Sequence, residues 1–133
     1  MNWTDLIGLP WRYGADGPDA FDCWGFVRFV QREMFHRELP VVPVPEHWVA
    51  VQHLLQTHRE HANWHRVLLT EAQDGDLVLM ARNRIPVHIG VALRANNTNG
   101  VIHCMQPHGV VFQPYANLRT TGWGHLTCYR HNK

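Results

Sequence analysis

Cysteine is scarce in this chain. Cys23, Cys104 and Cys128 are an odd number at irregular spacing, and 133 residues can bury a core without staples, so a disulfide framework is excluded. No cysteine pair has the spacing of a zinc site. No apolar run approaches the roughly 20 residues of a membrane helix. The segment Met1 to Pro10 lacks a basic cluster followed by an apolar stretch, so neither a secretory signal nor a membrane partner is expected. Excess charge is missing too. Twelve basic and eleven acidic residues leave +1 with histidine neutral, which offers no footprint for nucleic acid or an anionic surface. There are no repeats or low-complexity tracts. The expectation is one domain, 1–133, made in a reducing cytoplasm.

What the chain does contain is patterned. Gly14-Ala15-Asp16-Gly17-Pro18-Asp19 is a loop, because glycine supplies positive φ and proline fixes it. From about Cys23 to His36, Cys23, Val27, Val30 and Met34 recur at helical spacing. Phe26 widens the stripe, while Arg28, Gln31 and Arg32 fall on the predicted wet side. Asp22 suits the N-cap, where a carboxylate accepts orphan backbone N–H groups. Leu39 to Pro45, with its prolines, reads as an extended connection, and Glu46 to Ala62 as a second helix. Thereafter strands are expected at Leu77–Ala81, Val87–Arg94, Val101–Met105, Val110–Gln113 and Leu126–Arg130, with turns at Asp74-Gly75 and Asn96 to Gly100. Helices first and hairpin-linked strands afterwards predict an α+β fold with an antiparallel sheet.

Cys23 directly follows the cap, so its sulfur lies near the positive end of a helix dipole, which favours the nucleophilic thiolate. Backbone N–H groups around Asp22 and Cys23 are candidates to receive an oxyanion. Asp22 opposes the thiolate, and a protonated histidine nearby would be needed to compensate. Position alone fits a buried, inert core cysteine better than a nucleophile, and His88 shifts the balance. His88 lies in an apolar strand where a polar ring needs a partner, and Gly90 beside it leaves room for another element. His103 follows on the next strand. A hairpin reversing around Ala95-Asn96 makes the two histidines face each other; one reversing at Asn99-Gly100 offsets them. Cysteine first and histidine later, with a third polar group, is the order of papain-type enzymes.

Leu9-Pro10-Trp11-Arg12-Tyr13-Gly14, Phe21-Asp22-Cys23-Trp24-Gly25-Phe26-Val27, Gly75-Asp76-Leu77-Val78, Val87-His88-Ile89-Gly90-Val91 and Val101-Ile102-His103 come in that order. Together they resemble the NlpC-type family of papain-like cell-wall cysteine peptidases, over about Leu6 to Tyr129. The resemblance implies a papain-like fold, Cys23 as nucleophile, His88 as general base and acid, and His103 as the residue orienting His88. It implies a peptidoglycan stem peptide as substrate and no cofactor or metal. A tryptophan after the nucleophile and the small domain look most like members found in phage or prophage tails. Tail proteins are then partners, and the cell wall is the place of action. A silent tail scaffold of the same fold and a secreted cell-wall amidase toxin are the alternatives. Family members often have tyrosine where Trp11 stands, with Tyr13 close enough to substitute.

Other residues compete for roles. Cys104 and Cys128 lack a helix dipole and read as core. Gln106 and His108 rival His103 as the orienting group. Trp3, Trp11, Tyr13 and Trp24 fit a substrate groove or a core equally. His58, His61 and His65 fall at i, i+3 and i+7 and could line one helical face, but lack the step of a zinc-peptidase helix.

Overall fold

The computed structural model describes residues 2–41, 63–83 and 87–132. The helix expected at Glu46 to Ala62, the end of the proline-rich connection, and His58 and His61 lie outside the described residues. Helix α1, Cys23–Phe35, starts where the sequence places it: the Asp22 carboxylate accepts from the Gly25 N–H at 2.6 Å. It ends at His36, which takes the left-handed conformation with φ 57°. Six strands follow: β1 Trp64–Val67, β2 Leu77–Ala81, β3 His88–Ala95, β4 Thr98–Met105, β5 Gly109–Pro114 and β6 His125–His131. They form one antiparallel sheet in the order β1-β6-β2-β3-β4-β5. A one-turn helix, α2 (Tyr115–Thr120), joins β5 to β6. β1 and α2 were not anticipated; both are too short for periodicity to announce them. His65 stands on β1, bonded to Asn132, so it does not extend a helical histidine face.

Both faces of the sheet are covered. Leu77, Leu79, Ile89, Val91, Ile102 and Cys104 pack with Phe26, Val27 and Val30 of α1. The alternate residues Val78, Met80, Ala92, Val101 and Cys128 pack with Leu118 and Trp123. This explains why β2 is buried at every position, without the alternation of a half-wet strand. The buried face of α1 is broader than its sequence stripe. Gln31, expected in water, is fully buried and donates to the Gly75 carbonyl at 2.9 Å while Arg37 donates to its oxygen at 3.0 Å. A buried amide is tolerated because its donor and acceptor are both used.

The N-terminal segment runs beside β5: the Gly8 N–H donates to the Val110 carbonyl (3.0 Å) and the Val110 N–H to that of Leu9 (2.9 Å). It then meets Phe21, whose N–H donates to the Pro10 carbonyl at 3.1 Å. These bonds hold Trp11 beside the start of α1.

Asp76, in the Gly-Asp-Leu-Val block, is buried at the head of β2. Arg130 of β6 grips it with two N–H groups, at 3.2 and 3.1 Å, and the Gln73 N–H donates to it at 2.8 Å. Removing the carboxylate forfeits these three hydrogen bonds, while Arg130 keeps contact with water. Asp76→Ala should lower the unfolding free energy by about 2 kcal/mol, read as a fall in the urea midpoint at unchanged slope.

Candidate active site

Cys23 lines a groove of about 260 Å³ together with Trp11, Arg82, Val87, His88, Met105, Gln106 and Trp123. The first turn of α1 therefore opens onto the start of β3, and the structure places Cys23 and His88 on one surface. The other thiols are elsewhere. Cys104 is buried, donates to the Phe21 carbonyl, and is pushed up to about 12 chiefly by burial. Cys128 is buried against Asp76 and likewise pushed up to about 12, with burial the main cause.

The hairpin between β3 and β4 turns at neither expected place. Ala95 pairs with Thr98, and Asn96 and Asn97 form the turn with φ of 51° and 63°. Two positive φ values match the right-handed twist of the strands, and asparagine tolerates them. Val91 pairs with Ile102, so continuing the register sets Gly90 against His103, and His88 lies diagonally from it on the same face. The missing side chain at Gly90 is required. A Cβ there would stand 2.4 Å from Val101 Cγ1 and 2.9 Å from His103 Cβ. The His88 ring thus reaches His103, with Nε2 to Nδ1 at 2.8 Å.

The chain of bonds continues. His103 Nε2 meets Gln113 Oε1 at 2.8 Å, and Gln113 Nε2 donates to Asn117 Oδ1 at 2.6 Å and Thr121 Oγ1 at 3.4 Å. The Thr121 hydroxyl donates to helix carbonyls, so its oxygen is left to accept, which orients the Gln113 amide. His103 must then carry its proton on Nε2, and its bare Nδ1 accepts from His88 Nε2–H. By elimination His88 keeps a bare Nδ1, the nitrogen able to take a proton. Of the three residues considered as partner for His88, the structure pairs it with His103. Gln106 lines the Cys23 groove and His108 an adjoining recess. Gln113 was missed, although its place on β5 shares a face with Val101 and His103. Gln113→Leu should orphan His103 Nε2 and lower the unfolding free energy by about 1 kcal/mol, read as a fall in the urea midpoint, in line with loss of one part-buried neutral hydrogen bond.

Electrostatics revise the expectation for Cys23. Burial, and then Asp22, push its thiol up to about 11, against the smaller opposing effect of the Trp24 and Cys23 backbone N–H groups. Burial, then His103, then Arg82, hold His88 well below its ordinary value. The resting pair is a neutral thiol and a neutral imidazole: desolvation outweighs the helix dipole. The oxyanion reading is also narrowed. The Asp22 N–H already donates to the Ala15 carbonyl at 2.8 Å, and its carboxylate is spent on the cap. The Cys23 N–H, at the helix start, is the remaining backbone candidate.

The proposed aromatic groove is split. Trp11 forms a wall beside Cys23. Trp24 does not: it is buried, with its indole N–H donating to the Pro40 carbonyl at 3.0 Å, because the helix turns residue 24 towards the core. Tyr13 is 62% exposed, outside the residues lining the groove. Trp123, not anticipated, stacks on His88 with centroids 5.5 Å apart and 23° between planes. Among the described residues no group of three His, Cys, Asp or Glu is arranged to hold a metal.

Known proteins resemble this chain in both sequence and fold. The chain is 27% identical over 118 residues to the probable endopeptidase p60 of Listeria seeligeri, covering 89% of this chain and 18% of that protein. It is 26% identical over 121 residues to the murein DD-endopeptidase MepS/murein LD-carboxypeptidase of Escherichia coli K12, covering 88% and 55%. It thus spans between about a fifth and about half the length of these relatives. Its fold is that of the NlpC/p60 domain of the peptidoglycan hydrolase SagA, with a TM-score of 0.61 at 22% identity over 93% of this chain and 89% of that one. It is also that of an N-acetylmuramoyl-L-alanine amidase from Bacteroides uniformis, with a TM-score of 0.60 at 14% identity over 98% and 95%. The family model for NlpC/P60 matches residues 8–130, and the chain belongs to the NlpC/P60 family.

Proposed function

We propose that this protein is a cysteine peptidase that hydrolyses amide bonds in the stem peptides of peptidoglycan. The observation that carries the reading is the chain Gln113–His103–His88, which leaves a bare imidazole nitrogen on the residue that shares a groove with Cys23. The names of the relatives, endopeptidases and peptidoglycan hydrolases, support the substrate class.

The chemistry needs only residues of this chain. His88 Nδ1 takes the thiol proton as Cys23 sulfur bonds to the scissile carbonyl carbon. The carbonyl oxygen, now an anion, accepts from the Cys23 N–H. Collapse breaks the C–N bond, and the amine leaves with the proton from His88. Water, deprotonated by His88, then splits the thioester and restores the thiol. His103 holds the ring of His88 and shares the positive charge that develops on it.

Wild-type protein incubated with purified muropeptides should give fragment pairs whose masses sum to the substrate plus one water, by mass spectrometry. Cys23→Ala should give none. Intact substrate with both proteins would favour a catalytically silent scaffold. Its setting, we propose, is a phage or prophage tail that carries it to the cell wall, supported by the tryptophan that follows Cys23. Peptides of this chain in purified virions would bear that out, and their absence from complete tails would end it.

A further inference from the structure

A second recess, about 470 Å³, adjoins the Cys23 groove and is lined by Met105, Val111 and Phe112 together with His108, Gln113 and Thr121. Arg82, Met105 and Trp123 line both spaces, so Arg82 stands at the passage between them. An exposed arginine usually samples many rotamers, but this one is held. Its guanidinium lies 4.0 Å from the centre of the Trp123 ring, and Nη1 donates to the Thr121 carbonyl at 2.8 Å. Gly122 has φ +99°, and a Cβ there would lie 2.5 Å from Arg82 Nη1. One donor of the fork is used in this way, and among the described residues no carboxylate pairs with the rest. A fixed, partly unused guanidinium fork beside the reacting groups is built for a planar anion.

We infer that Arg82 is the anchor for a free carboxylate on the leaving-amine side of the peptide substrate. The side follows from Trp123, which touches both Arg82 and His88, the group that must hand its proton to the departing amine. A residue bearing the carboxylate then has its neighbours in the apolar recess beyond. The inference rests on the hydrolase reading above and adds its specificity: peptides with an acidic leaving fragment, which stem peptides provide, over neutral ones.

The test uses three synthetic stem peptides with one scissile bond: all carboxylates free, the leaving fragment amidated, or the acyl fragment amidated. Wild type should lose about ten- to a hundredfold in kcat/KM, mostly through KM, when the leaving fragment is amidated. Amidating the acyl fragment should matter little. Arg82→Gln should cleave the first two peptides with equal kcat/KM, losing the wild-type preference between them. Arg82→Lys, which keeps charge without the fork, should recover part of the preference. A wild type indifferent to amidation of the leaving fragment overturns the anchor, as does an Arg82→Gln variant that keeps the preference. Cleavage of none of the peptides by wild type overturns the hydrolase reading and the anchor with it, an outcome distinct from indifferent cleavage.

Discussion

His88→Ala should lower kcat/KM by about four orders of magnitude at pH 7, with the residual rate climbing about tenfold per pH unit. The size follows from Cys23. A thiol pushed up to about 11 is ionised in roughly one molecule in ten thousand at neutral pH, so attack depends on a base that removes the proton as the bond forms. Without His88, hydroxide must do that work, and the rate tracks the thiolate fraction. The wild type should behave differently. His88 is held well below its ordinary value by burial, His103 and Arg82, so its working neutral form persists through pH 6.5 and the acid limb lies well below that. Rates of wild type and His88→Ala from pH 5 to 9, with circular dichroism confirming the fold, check both statements. Retention of a tenth of the activity by the variant would remove His88 from the mechanism.

Acid should destabilise the fold far more than the modest net charge suggests. His103 is fully buried and pushed down to about 4 by burial, against a smaller opposing effect of Gln113. His88 shifts the same way. In the unfolded chain both imidazoles take protons near pH 6.5, while in the fold they refuse them. The unfolded state therefore binds more protons below pH 6.5. The stability that the buried neutral rings contribute is present above that pH and drains away as pH falls towards 4. His103 alone accounts for on the order of 3 kcal/mol, a large share of the roughly 5–15 kcal/mol typical of a domain. His88 adds to the loss. Urea midpoints should fall steeply from pH 6.5 to 4.5, and His103→Asn should flatten the slope by about one proton. A midpoint constant across that range would mean that the rings are charged or exposed in the folded protein.

The start of α1 was legible because capping is local: Asp22 bonds an N–H three residues on, and nothing distant is needed. The strands β2 to β6 were legible for the same reason, since a two-residue period and asparagine-rich or glycine turns lie within short windows. The histidine pair was half legible. Its residues and order stood in the sequence, but their relative offset depended on where Asn96 to Gly100 would turn, and each alternative was locally acceptable.

By itself, then, the sequence determined the α+β order, the capped helix that presents Cys23, and the family signature spanning most of the chain. Packing decided the rest. It turned Trp24 inward, used the Asp22 N–H on Ala15, chose Gly90 to face His103, and brought Gln113, Trp123 and Arg82 from distant segments to the histidines. It also decided the charge state of the reacting pair. A helix dipole acts within one turn and can be read from neighbouring residues, whereas desolvation depends on every atom that surrounds the sulfur and the ring. Those atoms come together only when the chain is folded.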